Sequence, residues 1–333
     1  MYNAIRPLLF KLDPERAHNL TLTLIKWAGV FPPTYALLRS ILGVNDPRLA
    51  VEAFGLKFKN PVGLAAGYDK NGVAVKGLSA LGFGHIEVGT LTRQGQIGNP
   101  RPRVHRVPEA QVLINSMGFP NAGVEALKIE HRSVPIGINI GKSKDTPIER
   151  AAEDYCALFE QVYRQADYVA LNVSSPNTLN LRQLQARAVI EELLQAVTNV
   201  RNSLIPHVPL LVKIAPDLNE PEIDAVLAAV TSCGIDGVIA TNTTLSREGV
   251  LGYERLTGGL SGAPLRARST EIIRYIARRT QGQLPIIGVG GIASGDDALE
   301  KRDAGARLVQ VYTGLVYAGP GLVRQINRAL AEH

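Results

Sequence analysis

The sequence predicts an α/β fold, a closed parallel (β/α)8 TIM barrel carrying an N-terminal helical extension, and three observations lead there. Short apolar runs bounded by Gly, Pro, Asn or Asp recur eight times. Stretches with helical periodicity separate most of them. Residues 1–45 lie outside this repeat.

Within residues 1–45, Ile5, Leu8, Leu9 and Leu12 recur at helical spacing. Asp13-Pro14 then supplies an N-cap and a first-turn proline for a second helix carrying Ala17, Leu20, Leu24, Ile25 and Ala28. The FPP run at 31–33 breaks that helix. Two readings stand: a helical hairpin plugging the barrel floor, or an interfacial amphipathic segment with Arg6, Lys11, Arg16, Lys26 and Trp27 beside its apolar stripe.

The strands are read as PVGLAAG from Pro61, HIEVGT from His85, PIGINIG from Pro135 and YVALNVS from Tyr168, followed by PLLVKIAP from Pro209, GVIATN from Gly237, PIIGVGG from Pro285 and LVQVYTG from Leu308. Runs this continuously apolar are buried on both faces, which parallel strands covered by helices require. VIEELLQAVTNVRNSL and PEIDAVLAAVTSCG are two of the intervening helices. A doubly wound open sheet is the competing architecture, and it does not normally need eight such units.

Composition narrows the function. The chain has 333 residues, 45% hydrophobic and 20% charged, with no apolar run approaching the roughly 18 residues of a membrane span. Charges at Lys11, Asp13, Glu15 and Arg16 interrupt the first apolar stretch before a secretory signal core can form, so a cytoplasmic location is expected. Cys156 and Cys233 read as free thiols, and six scattered histidines offer no metal-ligand spacing, so no metal is expected. A formal charge of +6 suits anionic ligands or an anionic membrane surface, but no basic run interleaved with aromatics points to nucleic acid.

Barrel chemistry collects where strands end. Glycines in GVGGI (288–292) and YTG (312–314) close the last two strands, where barrels of this kind bind phosphate. AAGYDKNG at 65–72 offers small residues for a flat ligand and Lys70 for an anion. Lys213 lies inside the strand VKIAP, where its charge is costly without a partner. It reads as a Schiff-base amine, as a fixed cation facing a cofactor, or as half of a structural ion pair. Asn139, Asn172, Asn177 and Asn242 fall at strand ends or in adjoining loops, where amides can read a planar ring bearing N–H and C=O groups. LNVSSPNT at 171–178 adds two serines, Ser174 and Ser175.

With these motifs in order, the sequence closely resembles the dihydroorotate dehydrogenases, within them the membrane-associated, quinone-dependent class 2. DPERAH, FKNPVGLAAGYDKNG, INSMGF, GINIGKSKDTP, NVSSPNT, VKIAPDL, GVIATNTT, GGLSG, IIGVGGI and VQVYTG carry the resemblance over essentially the whole chain. It implies one FMN per chain, oxidation of dihydroorotate to orotate in pyrimidine (UMP) synthesis, and a membrane quinone as acceptor. The implied flavin contacts are Ala66, Gly67, Tyr68, Asp69, Lys70, Thr90, Asn139, Asn172, Lys213, Thr241, Gly262, Gly291, Tyr312 and Thr313. The implied substrate contacts are Lys70, Asn115, Ser116, Met117, Gly118, Phe119, Asn172, Asn177, Asn242 and Thr243, with Ser175 as catalytic base.

His18 and Arg106 match residues of the family's quinone tunnel, which favours the amphipathic reading of the N-terminus. Serine rather than cysteine at the base position agrees with the same class. Ser116 departs from a basic residue common in relatives, and Tyr68 from a leucine. The resemblance further implies a peripheral protein, expected to be a monomer, on the cytoplasmic face of the cell inner membrane, with residues 1–45 as membrane and quinone segment and 46–333 as the FMN-binding catalytic barrel. The alternative from residues alone is a flavin-free barrel aldolase or isomerase using Lys213 as its amine; it leaves the asparagines and the N-terminal helices unexplained.

Overall fold

The structure, a computed structural model, describes residues 2–333. Eight parallel strands close a barrel: β1 (Val62–Leu64), β2 (His85–Leu91), β3 (Ile136–Ile140), β4 (Tyr168–Asn172), β5 (Leu210–Ile214), β6 (Gly237–Ala240), β7 (Ile286–Val289) and β8 (Leu308–Val311). Each coincides with one of the eight apolar runs, β2 running one residue beyond its own to Leu91. Every strand pairs with its neighbours in sequence, and β8 returns to β1 through the register Val309↔Val62. Both faces of these strands are buried.

The period of two along each strand divides them. Residues such as Val169 and Leu171 face the outer helices as part of the main core, whereas Tyr168, Ala170, Leu211, Ile239, Ile287 and Leu308 fill the barrel interior. A two-stranded hairpin, Val51–Ala53 with Leu56–Phe58, stoppers the N-terminal end of the barrel. Phe54 lies 6.4 Å from the Tyr168 ring, and Phe58 lies 5.5 Å from His85. The plug is therefore this hairpin and not the N-terminal helices.

Those helices number three, one more than the sequence reading provides: α1 (Tyr2–Lys11), α2 (Pro14–Val30) and α3 (Pro32–Leu42). The Asp13 carboxylate accepts from the N–H groups of Glu15 and Arg16, capping α2 as expected. The FPP run does end α2, but Pro32 then occupies the first turn of α3, where proline's missing N–H costs nothing. Along α1–α3, Leu8, Leu24, Trp27, Phe31 and Leu37 stay more than half exposed, so one face of this segment is an unpartnered apolar surface.

One further element positions the site. Val104–Val107, Val112–Asn115 and Gly259–Gly262 form a three-stranded antiparallel sheet beside the barrel mouth. Its central strand pairs with a segment more than a hundred residues away in sequence, through Asn115↔Gly259.

Phe58 is 1% exposed and packs on two interior rings. Phe58→Ala opens a cavity beneath the barrel, and its unfolding free energy in urea is expected to fall by ~3–5 kcal/mol.

Candidate active site

At the C-terminal mouth of the barrel, the strand ends and the outer sheet enclose a cleft. Ser175, Lys213, Asn172 and Lys70 line it together with Thr90, Asn177, Thr241, Asn242 and Thr243. Asn115, Met117, Gly118 and Phe119 close one side, and Ala66, Gly67, Gly262, Gly291, Tyr312 and Thr313 another.

The asparagines form a connected layer. Asn172 Nδ2 donates to Thr90 Oγ1 at 3.0 Å and to Asn139 Oδ1 at 3.2 Å, and Asn242 Nδ2 donates to Asn172 Oδ1 at 3.2 Å. On the other wall Asn177 Nδ2 donates to Asn115 Oδ1 at 3.0 Å, leaving Asn177 Oδ1 buried and without a protein partner. Gln310 Oε1, also in the cleft lining, is buried and equally unpartnered.

The two serines separate cleanly. Ser174 is fully buried, its hydroxyl accepts from Asn242 Nδ2 at 3.0 Å, and its carbonyl accepts from Arg182 Nε at 3.0 Å. Ser175 faces the cleft, and its Oγ accepts from the Asn177 N–H at 3.2 Å. Arg182 also donates to the Thr243 carbonyl at 2.8 Å and pairs with Asp217 at 2.6 Å, so one guanidinium ties together the loops after β4, β5 and β6. Neither Arg182 nor Asp217 is visible as a site residue in the sequence, because both lie in polar loops and meet only through the fold.

Beneath this layer, Lys213 Nζ stands 4.0 Å from Glu87 Oε1. Glu87 is completely buried and accepts from Asn139 Nδ2 at 2.8 Å, Gln310 Nε2 at 2.8 Å and the Tyr168 hydroxyl at 3.2 Å. Burial lowers the Lys213 pKa, and the Glu87 charge opposes that shift. Glu87 is absent from the residues the sequence reading selects, although it sits in the apolar run HIEVGT as Lys213 sits in VKIAP.

At the far end of the cleft, two glycines are required by geometry. Gly291 has φ +73°, and a Cβ there would lie 2.5 Å from Arg266 Cα; Gly262 has φ +117°, and a Cβ would lie 2.2 Å from the Gln111 carbonyl. Neither position admits a side chain. Beside them Ser261 Oγ and Thr313 Oγ1 are 2.8 Å apart. Backbone N–H groups and small hydroxyls around a left-handed turn make a concavity suited to a phosphate.

A second cavity, of about 360 Å³, lies between α1, α2 and the barrel. Leu9, Phe10, Leu24, Ile25, Leu38 and Val316 give it apolar walls, and His18, Arg106, Glu15 and Tyr68 supply the polar groups. Lys70, Met117 and Tyr312 line both cavities and so form the wall between them. Burial, reinforced by the Lys70 charge, pushes the His18 pKa down to about 3, so the imidazole is neutral at physiological pH. Burial likewise lowers Lys70 to about 8. The His18, Tyr68 and Tyr312 rings meet edge to face, with centroids 5.0 Å and 5.8 Å apart.

The dihydroorotate dehydrogenase family model matches residues 48–333. A dihydroorotate dehydrogenase (quinone) of Chromobacterium violaceum is 52% identical over 344 aligned positions, covering 100% of this chain and 98% of the relative. The chain belongs to the dihydroorotate dehydrogenase family. The quinone enzyme of Gloeobacter violaceus is also 52% identical, with coverage of 99% and 94%. The crystal structure of the Eimeria tenella dihydroorotate dehydrogenase in complex with ferulenol superposes with a TM-score of 0.87 at 35% identity, covering 97% of this chain and 93% of that one.

Set against the contacts that membership in this family implies, most named residues meet in the first cleft, and four do not line it. Tyr68 turns to the second cavity. Asp69 is fully buried, and its carboxylate accepts from the N–H groups of Val73 and Ala74, which orders the turn after β1. Asn139 lies one layer below the cleft, bonded to Thr90 and Glu87. Ser116 engages through its backbone, donating to Arg103 and accepting from Asn99.

His18 and Arg106 do share the second cavity, but Arg106 directs its donors to the Leu9 and Leu12 carbonyls and stacks 4.5 Å over Phe10. It clamps the end of α1 as well as lining the cavity. Glu15 anchors α2 in a similar way, accepting from Arg103 at 2.7 Å and Arg101 at 2.9 Å.

The Arg103 hydrogen bond holds the Glu15 carboxyl below the usual carboxylate range. A depressed folded-state pKa contributes stability that is present above the unfolded value of about 4.3 and disappears as pH falls through the lowered one. Limited proteolysis at decreasing pH is expected to release the α1–α2 segment in that acid window, whereas Arg103→Ala exposes the same segment to protease at neutral pH.

Proposed function

We propose that this chain oxidises dihydroorotate to orotate in the first cleft and reduces a membrane quinone in the second, in pyrimidine biosynthesis. The observation that carries this reading is the shared wall: a polar, amide-lined cleft and an apolar cavity are both lined by Lys70, Met117 and Tyr312. Two half-reactions with unlike substrates need this arrangement, whereas a Schiff-base aldolase has no use for the second cavity.

The residues present fit FMN. The Gly262 and Gly291 turn suits its phosphate, and the unpartnered Gln310 Oε1 offers an acceptor to a flat ring bearing N–H groups. Bound FMN supplies the two-electron acceptor that links the two half-reactions. Lys213 opposes negative charge developing at the floor of the cleft, an electrostatic contribution of the kind that dominates many enzymes. Asn115, Asn172, Asn177 and Asn242 orient the substrate ring, and Lys70 faces its carboxylate.

Ser175 takes the proton from the substrate carbon. A serine hydroxyl is a poor base alone, because its pKa is far from neutral. The neighbouring Thr178 Oγ1 is buried with no protein partner, which leaves it free to join a relay from Ser175 through water. Ser175→Ala is expected to retain FMN but to slow anaerobic flavin reduction by dihydroorotate by about two to four orders of magnitude, the usual weight of general acid–base catalysis. An undiminished stopped-flow rate rules Ser175 out.

No helix among the described residues is long and apolar enough to cross a membrane. Residues 1–45 instead form the membrane and quinone segment of a peripheral protein at the cytoplasmic face of the inner membrane, and residues 46–333 form the catalytic barrel. Trp27 and Phe31, exposed at 65% and 59%, enter the lipid interface, and the net charge of +6 favours an anionic surface. Replacing both by serine is expected to lower binding to anionic vesicles and quinone turnover severalfold while flavin reduction by dihydroorotate is retained. Unchanged vesicle sedimentation counts against this docking face.

A further inference from the structure

Beyond the residues that line the cleft, the barrel interior holds a charge that the reaction as described leaves without a role. We infer that Glu87 is a positioning residue of the active site: its buried carboxylate keeps Lys213 in place and charged, and thereby sets the reduction potential of the flavin bound above it. This rests on the placement of FMN against Lys213.

Glu87 is completely buried, and a carboxylate is retained in such a place only if it is paired and hydrogen-bonded. Its donors come from three different strands: Asn139 on β3, Tyr168 on β4 and Gln310 on β8, at 2.8, 3.2 and 2.8 Å. Together they engage both carboxylate oxygens, Asn139 on Oε1 and Tyr168 and Gln310 on Oε2. The 4.0 Å gap to Lys213 Nζ is too long for a hydrogen bond but close enough for strong attraction in a poorly solvated interior. Glu87 therefore fixes the charge of the ammonium without occupying its N–H groups, which remain available to the cleft.

The other ionisable groups facing the pair do not compete. Burial raises the Tyr168 phenol well above its ordinary value, so it acts as a neutral donor. His85, whose ring is 6.4 Å from that of Tyr168, is pushed down to about 3 by burial and is also neutral. Lys213 is itself pulled down by burial, and Glu87 is the charge that resists this. Without Glu87, nothing opposes the effect of burial, and loss of the Lys213 proton moves to lower pH.

The test is the midpoint potential of bound FMN, followed spectroscopically across pH in the wild-type holoenzyme and in Glu87→Gln, Glu87→Asp and Lys213→Met. For Glu87→Gln the potential–pH curve gains an inflection that the wild type lacks. Below it an uncompensated lysine makes the flavin easier to reduce. Above it the neutral lysine costs about tenfold in preference for reduced flavin, a midpoint lower by about 30 mV for a two-electron couple.

Glu87→Asp keeps a carboxylate farther from Lys213, so its inflection falls at higher pH than that of Glu87→Gln; it also serves where the glutamine variant does not fold. Lys213→Met has a lowered midpoint and no inflection. Glu87 variants whose curves run parallel to the wild type, displaced or not, while Lys213→Met is lowered, overturn the role of Glu87 and leave the flavin site standing. A Lys213→Met midpoint equal to the wild type overturns the placement of FMN against Lys213, and this inference with it.

Discussion

A closed barrel must fill its own interior, and in this chain the upper part of that interior is filled by a buried ion pair and its hydrogen-bond donors. Glu87, Lys213, Asn139, Tyr168 and Gln310 come from five strands, β2, β5, β3, β4 and β8. Side chains alternate along a strand, so a one-residue slip in any of these would turn its polar group outward into the aliphatic layer beneath the helices. The cost of a buried carboxylate stripped of its donors is severe. Packing of the interior and register of the strands are thus one constraint.

The active-site floor follows from that constraint. Asn139 donates to Glu87 through Nδ2 and accepts from Thr90 and Asn172 through Oδ1, so it joins the charged layer to the amide layer above. Asn242 and Ser174 extend the amide layer across the mouth, and Arg182 fastens the loop that carries Ser175. Asn172, Asn242 and the Ser175 loop are each held by a residue outside the cleft lining, Asn139, Ser174 and Arg182 respectively, which is how a site on loops reaches the accuracy that catalysis demands. The hairpin plug at the opposite end is aliphatic and aromatic, so stability and chemistry occupy separate ends of the barrel.

How much of this was legible depended on whether the signal was local. The eight strands were readable because burial on both faces leaves a continuous apolar run, and Lys213 stood out as a charge within such a run. Glu87 carries the same signature in HIEVGT, but it sits mid-strand, away from the strand ends where barrel chemistry collects. Helix α3 was missed because FPP is both a terminator and an opener: proline stops one helix and is tolerated in the first turn of the next. The outer sheet was not readable, since VHRV, VLIN and GLSG are four-residue strands and one pairing spans more than a hundred residues. The Arg182–Asp217 tie was hidden for the same reason, being a contact of two loops that only the barrel brings together.

The outer sheet decides how the N-terminal helices can matter to the chemistry. Its strands contribute Asn115 and Gly262 to one cavity and Val104, Arg106 and Leu113 to the other, so it serves as a partition with a polar and an apolar face. Arg106 leaves that partition to bind the carbonyl end of α1, and Arg103 leaves the same segment to bind Glu15 at the start of α2. The helices are thereby fastened to the element that also walls the cleft, and not to the barrel alone. Lys70 completes the connection electrostatically: it lies on the shared wall, and on the far side burial, with the Lys70 charge adding to it, lowers the pKa of His18. The guanidinium ties and the shared wall thus join the two cavities through one structural element.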